Sequence, residues 1–384
     1  MREASLRCLQ CGRDAAYVSP FQTCPACGSD WLDILYDYGS VVGRDWIAPD
    51  EPGLWRYRAL LPLRDAACTT SLGEGWTPLS RLDLLGPRIG HEQLYVKDEG
   101  RNPTGSFKAR QATLLTSVLR EAGIRELALC STGNVAMAYA AYCARAGVDL
   151  TIFLPEGVPP LKEKLSRMFG ARVILTGRSY YDSRALAKAH ALERGITYSP
   201  GADNFVNRES LKTIAFELAE QLGWQAPDWY VQAVNGGSGP MGVWKGFWEL
   251  QQLSLIDRTP RFACVQSELC APMVDSFHRG LSRAEPVEPR TRIATLSYGT
   301  PGYSFHELSR IVRASGGTMV KVDEARVFQR IAELARVEGR LIAPASAVAL
   351  EGALRLIEDG TIQPHERVVV NLTGDGVYSH EILS

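Results

Sequence analysis

Four of the nine cysteines are spaced to hold a metal ion. Cys8-x-x-Cys11 is followed, after twelve residues, by Cys24-x-x-Cys27. Two such knuckles can present four thiolates to one tetrahedral zinc ion, and Gly12, Pro25 and Gly28 suit the tight turns this needs. Disulfides, or cysteines placed by chance in a loop, are the competing readings. A closed four-cysteine site has no open position for substrate, so its role would be structural. The remaining five, Cys68, Cys130, Cys143, Cys264 and Cys270, lie among apolar residues and read as core fillers.

Lys108 offers a different chemistry. It stands in Asn102-Pro103-Thr104-Gly105-Ser106-Phe107-Lys108-Ala109-Arg110. Ser106 fits a helix N-cap, which places Lys108 in the first turn. Positive helix-end charge there disfavours protonation of the amine, and a neutral amine is what a Schiff base requires. A solvated surface lysine is the plain alternative. Ser131-Thr132-Gly133-Asn134 could bind an anion through free backbone N–H groups and two hydroxyls, or be an ordinary cap. Asn235-Gly236-Gly237-Ser238-Gly239-Pro240-Met241-Gly242 could close around a phosphate, with Pro240 at the first helical position. Gly237 to Gly242 also matches G-x-G-x-x-G, which keeps a dinucleotide open, with Asp257 or Glu268 as ribose partner. Thr373-Gly374-Asp375-Gly376 is either a fourth ligand loop or a simple turn.

The elements that must position these loops follow from the pattern. Strand-like runs at 94–97, 126–130, 150–154, 172–175, 229–234, 262–266 and 368–372 alternate with helical stretches at 106–122, 135–146, 161–169, 180–194 and from 240 onward. Such alternation predicts βαβ units on a parallel sheet. All four loops fall where a strand passes to a helix or ends, which is where open α/β sheets bind ligands. The aromatic stretch from Trp31 to Tyr57 reads as irregular and suited to packing the cysteine module onto the body. The segment 286–303 reads as a loop or lid.

Composition bounds the rest. The chain has 384 residues, with 42 Lys+Arg against 43 Asp+Glu. That length predicts two or three domains, and the near-zero charge gives no footprint for nucleic acid or a membrane surface. No apolar run approaches the length that spans a bilayer, and no signal peptide opens the chain. Nine cysteines, an odd number, suit a reducing, cytoplasmic compartment.

Taken together and in order, the loops resemble the threonine synthase-like branch of fold type II pyridoxal-phosphate (PLP) enzymes. The residues that carry the resemblance are Val96 to Lys108, Ser131-Thr132-Gly133-Asn134, the glycine loop with Thr213-Ile214-Ala215-Phe216-Glu217 and Trp244-Lys245-Gly246-Phe247 around it, Glu74-Gly75-Trp76-Thr77-Pro78-Leu79, and Thr373-Gly374-Asp375-Gly376. A four-cysteine ribbon also occurs in some members. The resemblance covers almost the whole chain and sets the dinucleotide reading aside. It implies a two-domain α/β fold with an N-terminal zinc ribbon, divided as 1–40 (ribbon), 41–95 plus 200–384 (larger, PLP-binding) and 96–199 (smaller). It implies that Lys108 forms the Schiff base and shuttles protons. Asn134 would meet the phenolic oxygen of PLP, and Gly236, Gly237, Ser238 and Gly239 its phosphate. Thr373 would face the pyridine nitrogen, where a neutral hydroxyl favours elimination and replacement over transamination. Ser131, Thr132 and Gly133 would grip the substrate carboxylate. A homodimer is also implied.

The expected reaction is the threonine synthase one, in which O-phospho-homoserine and water give threonine and phosphate. The substrate phosphate needs cations, and Lys97, Arg110, Lys162, Lys164, Arg208 and Lys212 are candidates, with Thr104 and Ser106 as hydroxyl donors. Arg110, close to Lys108, is the preferred one. Ala109 and Ala343 stand where the family often has acids, and Asp375 replaces its usual His. Fewer carboxylates would suit an anionic nucleophile, so cysteate synthase (O-phosphoserine plus sulfite) is an alternative. A serine/threonine dehydratase-type lyase and a non-catalytic PLP-fold protein are the others.

Overall fold

The computed structural model describes residues 4–131, 133–156, 160–177, 179–201, 204–379 and 382. Three short strands come first: β1 (Ala4–Cys8), β2 (Asp14–Ala16) and β3 (Leu32–Tyr36). Strand β4 (Leu79–Arg81), a one-turn helix α1 (Leu85–Arg88) and β5 (Leu94–Asp98) follow. Next are α2 (Lys108–Glu121), β6 (Glu126–Cys130), α3 (Asn134–Ala146) and β7 (Asp149–Leu154). Then come α4 (Pro160–Met168), β8 (Arg172–Leu175), α5 (Tyr180–Arg194) and β9 (Thr197–Ser199). Helices α6 (Phe205–Leu211) and α7 (Thr213–Gln221) lead to β10 (Trp229–Ala233), α8 (Ser238–Gln252) and β11 (Arg261–Ser267). The later elements are α9 (Pro272–His278), α10 (Tyr303–Ala314), β12 (Thr318–Val322), α11 (Glu324–Glu338), α12 (Pro344–Glu358) and β13 (Val368–Leu372).

These elements group into two units. The first holds the chain up to Trp76, Asn102–Thr104 and Lys108–Thr213. It contains the antiparallel sheet β2-β1-β3 and the parallel sheet β8-β7-β6-β9. The second holds Thr77–Arg101, Gly105–Phe107 and the chain from Ile214 onward. Its sheet has the order β12-β11-β10-β13-β5-β4, parallel throughout except for β4. Residues 41–76, which the sequence reading joins to the later half, fall in the first unit. There the Trp55 indole donates to Glu74 at 2.9 Å and to Thr113 of α2 at 3.2 Å.

Parallel strands are covered on both faces, so they read as unbroken apolar runs. Val368, Val369 and Val370 of β13 are fully buried. Each such valine stabilises the fold by about 1.5–3 kcal/mol. The later end of the cysteine module differs from expectation, because residues 32–36 form a strand rather than irregular chain. Among the described residues, no helix is long and apolar enough to cross a membrane.

Candidate active site

Residues Gly105–Phe107 are held by backbone hydrogen bonds in the second unit. Phe107 N–H donates to the Thr373 carbonyl at 3.1 Å, and Asp375 N–H donates to the Gly105 carbonyl at 2.9 Å. Ser106 pairs with Gly374 as an isolated antiparallel bridge. This corrects one expectation. Ser106 is extended and bridged, so it does not cap α2, which begins at Lys108 itself. Its buried hydroxyl has no hydrogen-bond partner among the described residues, and neither has that of Thr104. Gly105 adopts φ +68°, and a Cβ there would meet the Tyr378 ring at 2.5 Å, so only glycine fits. The Lys108 amine is pushed down to about 8 by burial. Lys108 also stands in the first turn of α2, as the sequence suggested.

The glycine loop leaves β10 and enters α8. Gly237, at φ +80°, is the residue before the helix, which starts at Ser238. Pro240 therefore sits inside the first turn, not at its first position, and still needs no acceptor there. The N–H groups of Ser238 and Gly239 lack helical partners by position, as an anion site requires. A Cβ on Gly239 would lie 2.1 Å from the Gln232 side-chain nitrogen, so the backbone approach depends on glycine. Asn235 Oδ1 accepts from Tyr298 N–H at 2.9 Å, which ties segment 286–303 to this loop. Thr373 is buried just past β13. Ser346 fixes that end of the strand, accepting from Gly374 N–H at 3.2 Å. The Asp375 carboxylate accepts from Val377 N–H at 2.8 Å and so caps the following turn.

In the first unit, Asn134 is the first residue of α3 and Gly133 precedes it. Ser131 Oγ accepts from Gly133 N–H at 3.3 Å. Thr132 lies outside the described residues. Arg110 is fully buried on α2 and donates to Thr213 Oγ1 at 3.0 Å.

Three of the other candidate cations are engaged in structural pairs. Lys97 is buried 2.7 Å from Glu217, with Thr77 O and Gln221 as further acceptors. Lys212 is buried 2.7 Å from Glu209. Arg208 donates to the Leu32 carbonyl and lies 5.0 Å from the Trp31 ring centre. Lys162 and Lys164 lie on α4, half-buried and exposed respectively. Sequence reasoning missed the buried acceptors Glu74, Glu209 and Glu217, and also Ser346. The Glu209–Lys212 spacing of three was the one visible signal, since i,i+3 pairs meet on a helix.

The four ribbon sulfurs converge. Cys8, Cys11, Cys24 and Cys27 place their Sγ atoms within 4.8 Å of one another. The cross pairs Cys8–Cys27 and Cys11–Cys24 stand at 3.6 and 3.7 Å. Four sulfurs about 2.3 Å from a tetrahedral zinc would be ~3.8 Å apart, so the set fits the ion. The Ala26 N–H helps draw the Cys24 thiol down to about 7. The module docks on α6 within its own unit. Tyr36 OH donates to Glu209 at 2.8 Å, and the Lys212 ammonium lies 4.1 Å from the Tyr36 ring centre. Asn204 donates to the Pro20 carbonyl at 2.9 Å.

The first unit holds a desolvated lysine at the start of a helix, which suits an aldehyde, and the second a glycine cradle after a parallel strand, which suits a phosphate. The model of the family of pyridoxal-phosphate dependent enzymes matches residues 70–374, and the chain belongs to that family. The threonine synthase of Methanocaldococcus jannaschii is 35% identical over 376 residues, covering 97% of this chain and 92% of the relative. That of Methanosarcina acetivorans is 35% identical over 372 residues, covering 96% and 91%. That of Mycobacterium tuberculosis (strain H37Rv) is 33% identical over 323 residues, covering 84% and 87%. The protein is thus a threonine synthase-like, PLP-dependent enzyme. The processed form of threonine deaminase isoform 2 from Solanum lycopersicum superposes with a TM-score of 0.70 at 22% identity, covering 89% of this chain and 97% of that one. That likeness concerns the fold alone.

Proposed function

We propose that the enzyme converts O-phospho-homoserine and water to threonine and phosphate. The observation that carries this reading is the 35% identity to a threonine synthase along 97% of the chain. Bound PLP would supply an electron sink for charge developing on the substrate. Lys108 Nζ would hold the cofactor and then move a proton at the substrate Cα. Its depressed pKa supports both tasks, since each needs a neutral amine near physiological pH. Gly236, Gly237, Ser238 and Gly239 would bind the cofactor phosphate, Asn134 its phenolic oxygen and Thr373 its ring nitrogen. Ser131, Thr132 and Gly133 would orient the substrate carboxylate. Arg110, Thr104 and Ser106 would bind the phosphate that leaves. The orphaned hydroxyls of Thr104 and Ser106 support this, because a buried hydroxyl without a partner costs free energy that a ligand oxygen would recover. The capping bond of Asp375 is consistent with Thr373, rather than a carboxylate, serving the ring nitrogen.

Zinc in the four-cysteine ribbon is part of the same reading, as is a homodimer in a reducing, cytoplasmic setting. The experiment is phosphate release with O-phospho-homoserine, compared with O-phosphoserine with and without sulfite. Release from O-phospho-homoserine with threonine as the product supports the proposal. Cysteate from O-phosphoserine and sulfite would replace it, and release from neither substrate would overturn it.

A further inference from the structure

Glu74 is fully buried in the first unit, at the end of the segment 71–75. Its two carboxylate oxygens draw donors from four parts of the chain. Trp55 Nε1 reaches Oε1 at 2.9 Å, and Ser71 Oγ reaches it at 3.0 Å. Thr113 Oγ1 lies 2.7 Å from the same oxygen and shares its proton with the Thr70 carbonyl. Leu72 N–H reaches Oε2 at 2.9 Å, and Tyr142 OH reaches it at 2.5 Å. The next residue continues the pattern, because Gly75 N–H donates to Asn102 Oδ1 at 3.0 Å.

The partners are not scattered. Thr113 lies on α2, whose first residue is Lys108. Tyr142 lies on α3, whose first residue is Asn134. Asn102 opens the segment that leads to Lys108. One carboxylate therefore joins the two helices that begin at the lysine and the asparagine, and its neighbour holds the loop before the lysine. A carboxylate suits this junction because it only accepts, and every group around it donates. Glutamine would turn an NH₂ group toward some of those donors.

We propose that Glu74 is a positioning residue for the reaction, fixing α2 and α3 to each other so that Lys108 and Asn134 meet the cofactor in a single arrangement. This rests on the roles given to Lys108 and Asn134 above. Small errors of placement are costly to catalysis, with a shift of about 1 Å lowering a rate ~100-fold. Binding of substrate through other groups is affected much less.

The test is Glu74→Gln in the PLP-loaded enzyme, read by visible circular dichroism of the bound cofactor and by kcat and KM separately. The expected result is a folded protein whose cofactor dichroism is visibly altered. Its kcat falls roughly tenfold to a hundredfold, while KM moves less than about threefold. Tyr142→Phe, which cuts only the tie to α3, shifts the same two readouts in the same direction by less. An unchanged dichroism and kcat in folded Glu74→Gln overturns the proposal. So does a loss of activity that disappears wholly once the fraction folded is matched to the wild type. Where Glu74→Gln does not accumulate as folded protein, Tyr142→Phe decides by the same criteria. A wild-type protein that takes up no PLP would sink the functional reading itself, whereas a normal cofactor band with an indifferent Glu74 sinks this inference alone.

Discussion

Alanine at position 108 removes the amine and leaves α2 intact, since alanine is the best helix former. Lys108→Ala is expected to lose the visible absorption band that sodium borohydride abolishes in the wild type. A band that survives the substitution places the attachment elsewhere. The same amine gives a pH prediction with a definite sign. Burial lowers its pKa to about 8, so the neutral form grows as pH rises through that value. Capture of added PLP by cofactor-free protein should therefore be slow near pH 6 and level off above about pH 9. Stopped-flow absorbance measures this, and a profile that is flat or still rising steeply beyond pH 10 contradicts it. At this scale the places of the candidate residues in the fold were legible in the sequence. Lys108, Asn134, the glycine loop and Thr373 all lie at element ends where side-chain type alone suggests chemistry. Other features were not legible, because they depend on burial. Lys97, Arg208 and Lys212 look like phosphate-binding cations until their acceptors are seen, and Ser106 looks like a cap until its bridge to Gly374 is seen.

Elements carry the next set of consequences. Lys97 near the end of β5 and Glu217 on α7 are both fully buried, and the lysine also meets the Thr77 carbonyl just before β4. Lys97→Met strands a buried carboxylate, which costs about 3–5 kcal/mol. Urea unfolding should show a loss of that size, and a loss below about 1 kcal/mol would mean that Glu217 finds another partner. The ribbon docks on α6 through Tyr36, Trp31 and Pro20, so the zinc proposed for it should matter beyond its own turns. Removing zinc with a chelator is expected to lower the melting temperature and to speed proteolysis within residues 4–36. Unchanged melting with the metal demonstrably gone would contradict a structural role. Alternation of apolar runs with helical stretches made the parallel strands β5, β6, β7, β8, β10, β11 and β13 readable nearly to the residue, while β9 and β12 went unread. The ribbon strands were not, since β1 and β2 carry little apolar pattern and the alternation of Leu32, Ile34 and Tyr36 in β3 lies within a stretch that reads as irregular. Helix α12 is buried on nearly every side, so it shows a continuous apolar run in place of a stripe. Helix α11, with Val327, Ile331 and Leu334 inward, does carry the stripe that identifies a helix.

For the molecule as a whole, length suggested two or three domains and composition gave no sign of nucleic-acid or membrane binding, but they could not choose a chemistry. The near-neutral total of 42 basic against 43 acidic residues hides how the charges are used. Lys97, Arg208 and Lys212 are paired inside the fold, and it is the proposed function that assigns the substrate phosphate to Arg110, Thr104 and Ser106. The central claim is that this enzyme breaks the carbon–oxygen bond to phosphate and adds water to carbon. Turnover of O-phospho-homoserine in heavy-oxygen water, with both products weighed by mass spectrometry, tests that claim most directly. The account predicts threonine carrying one heavy oxygen and phosphate carrying none. Labelled phosphate together with homoserine would show cleavage at phosphorus instead, and would contradict it.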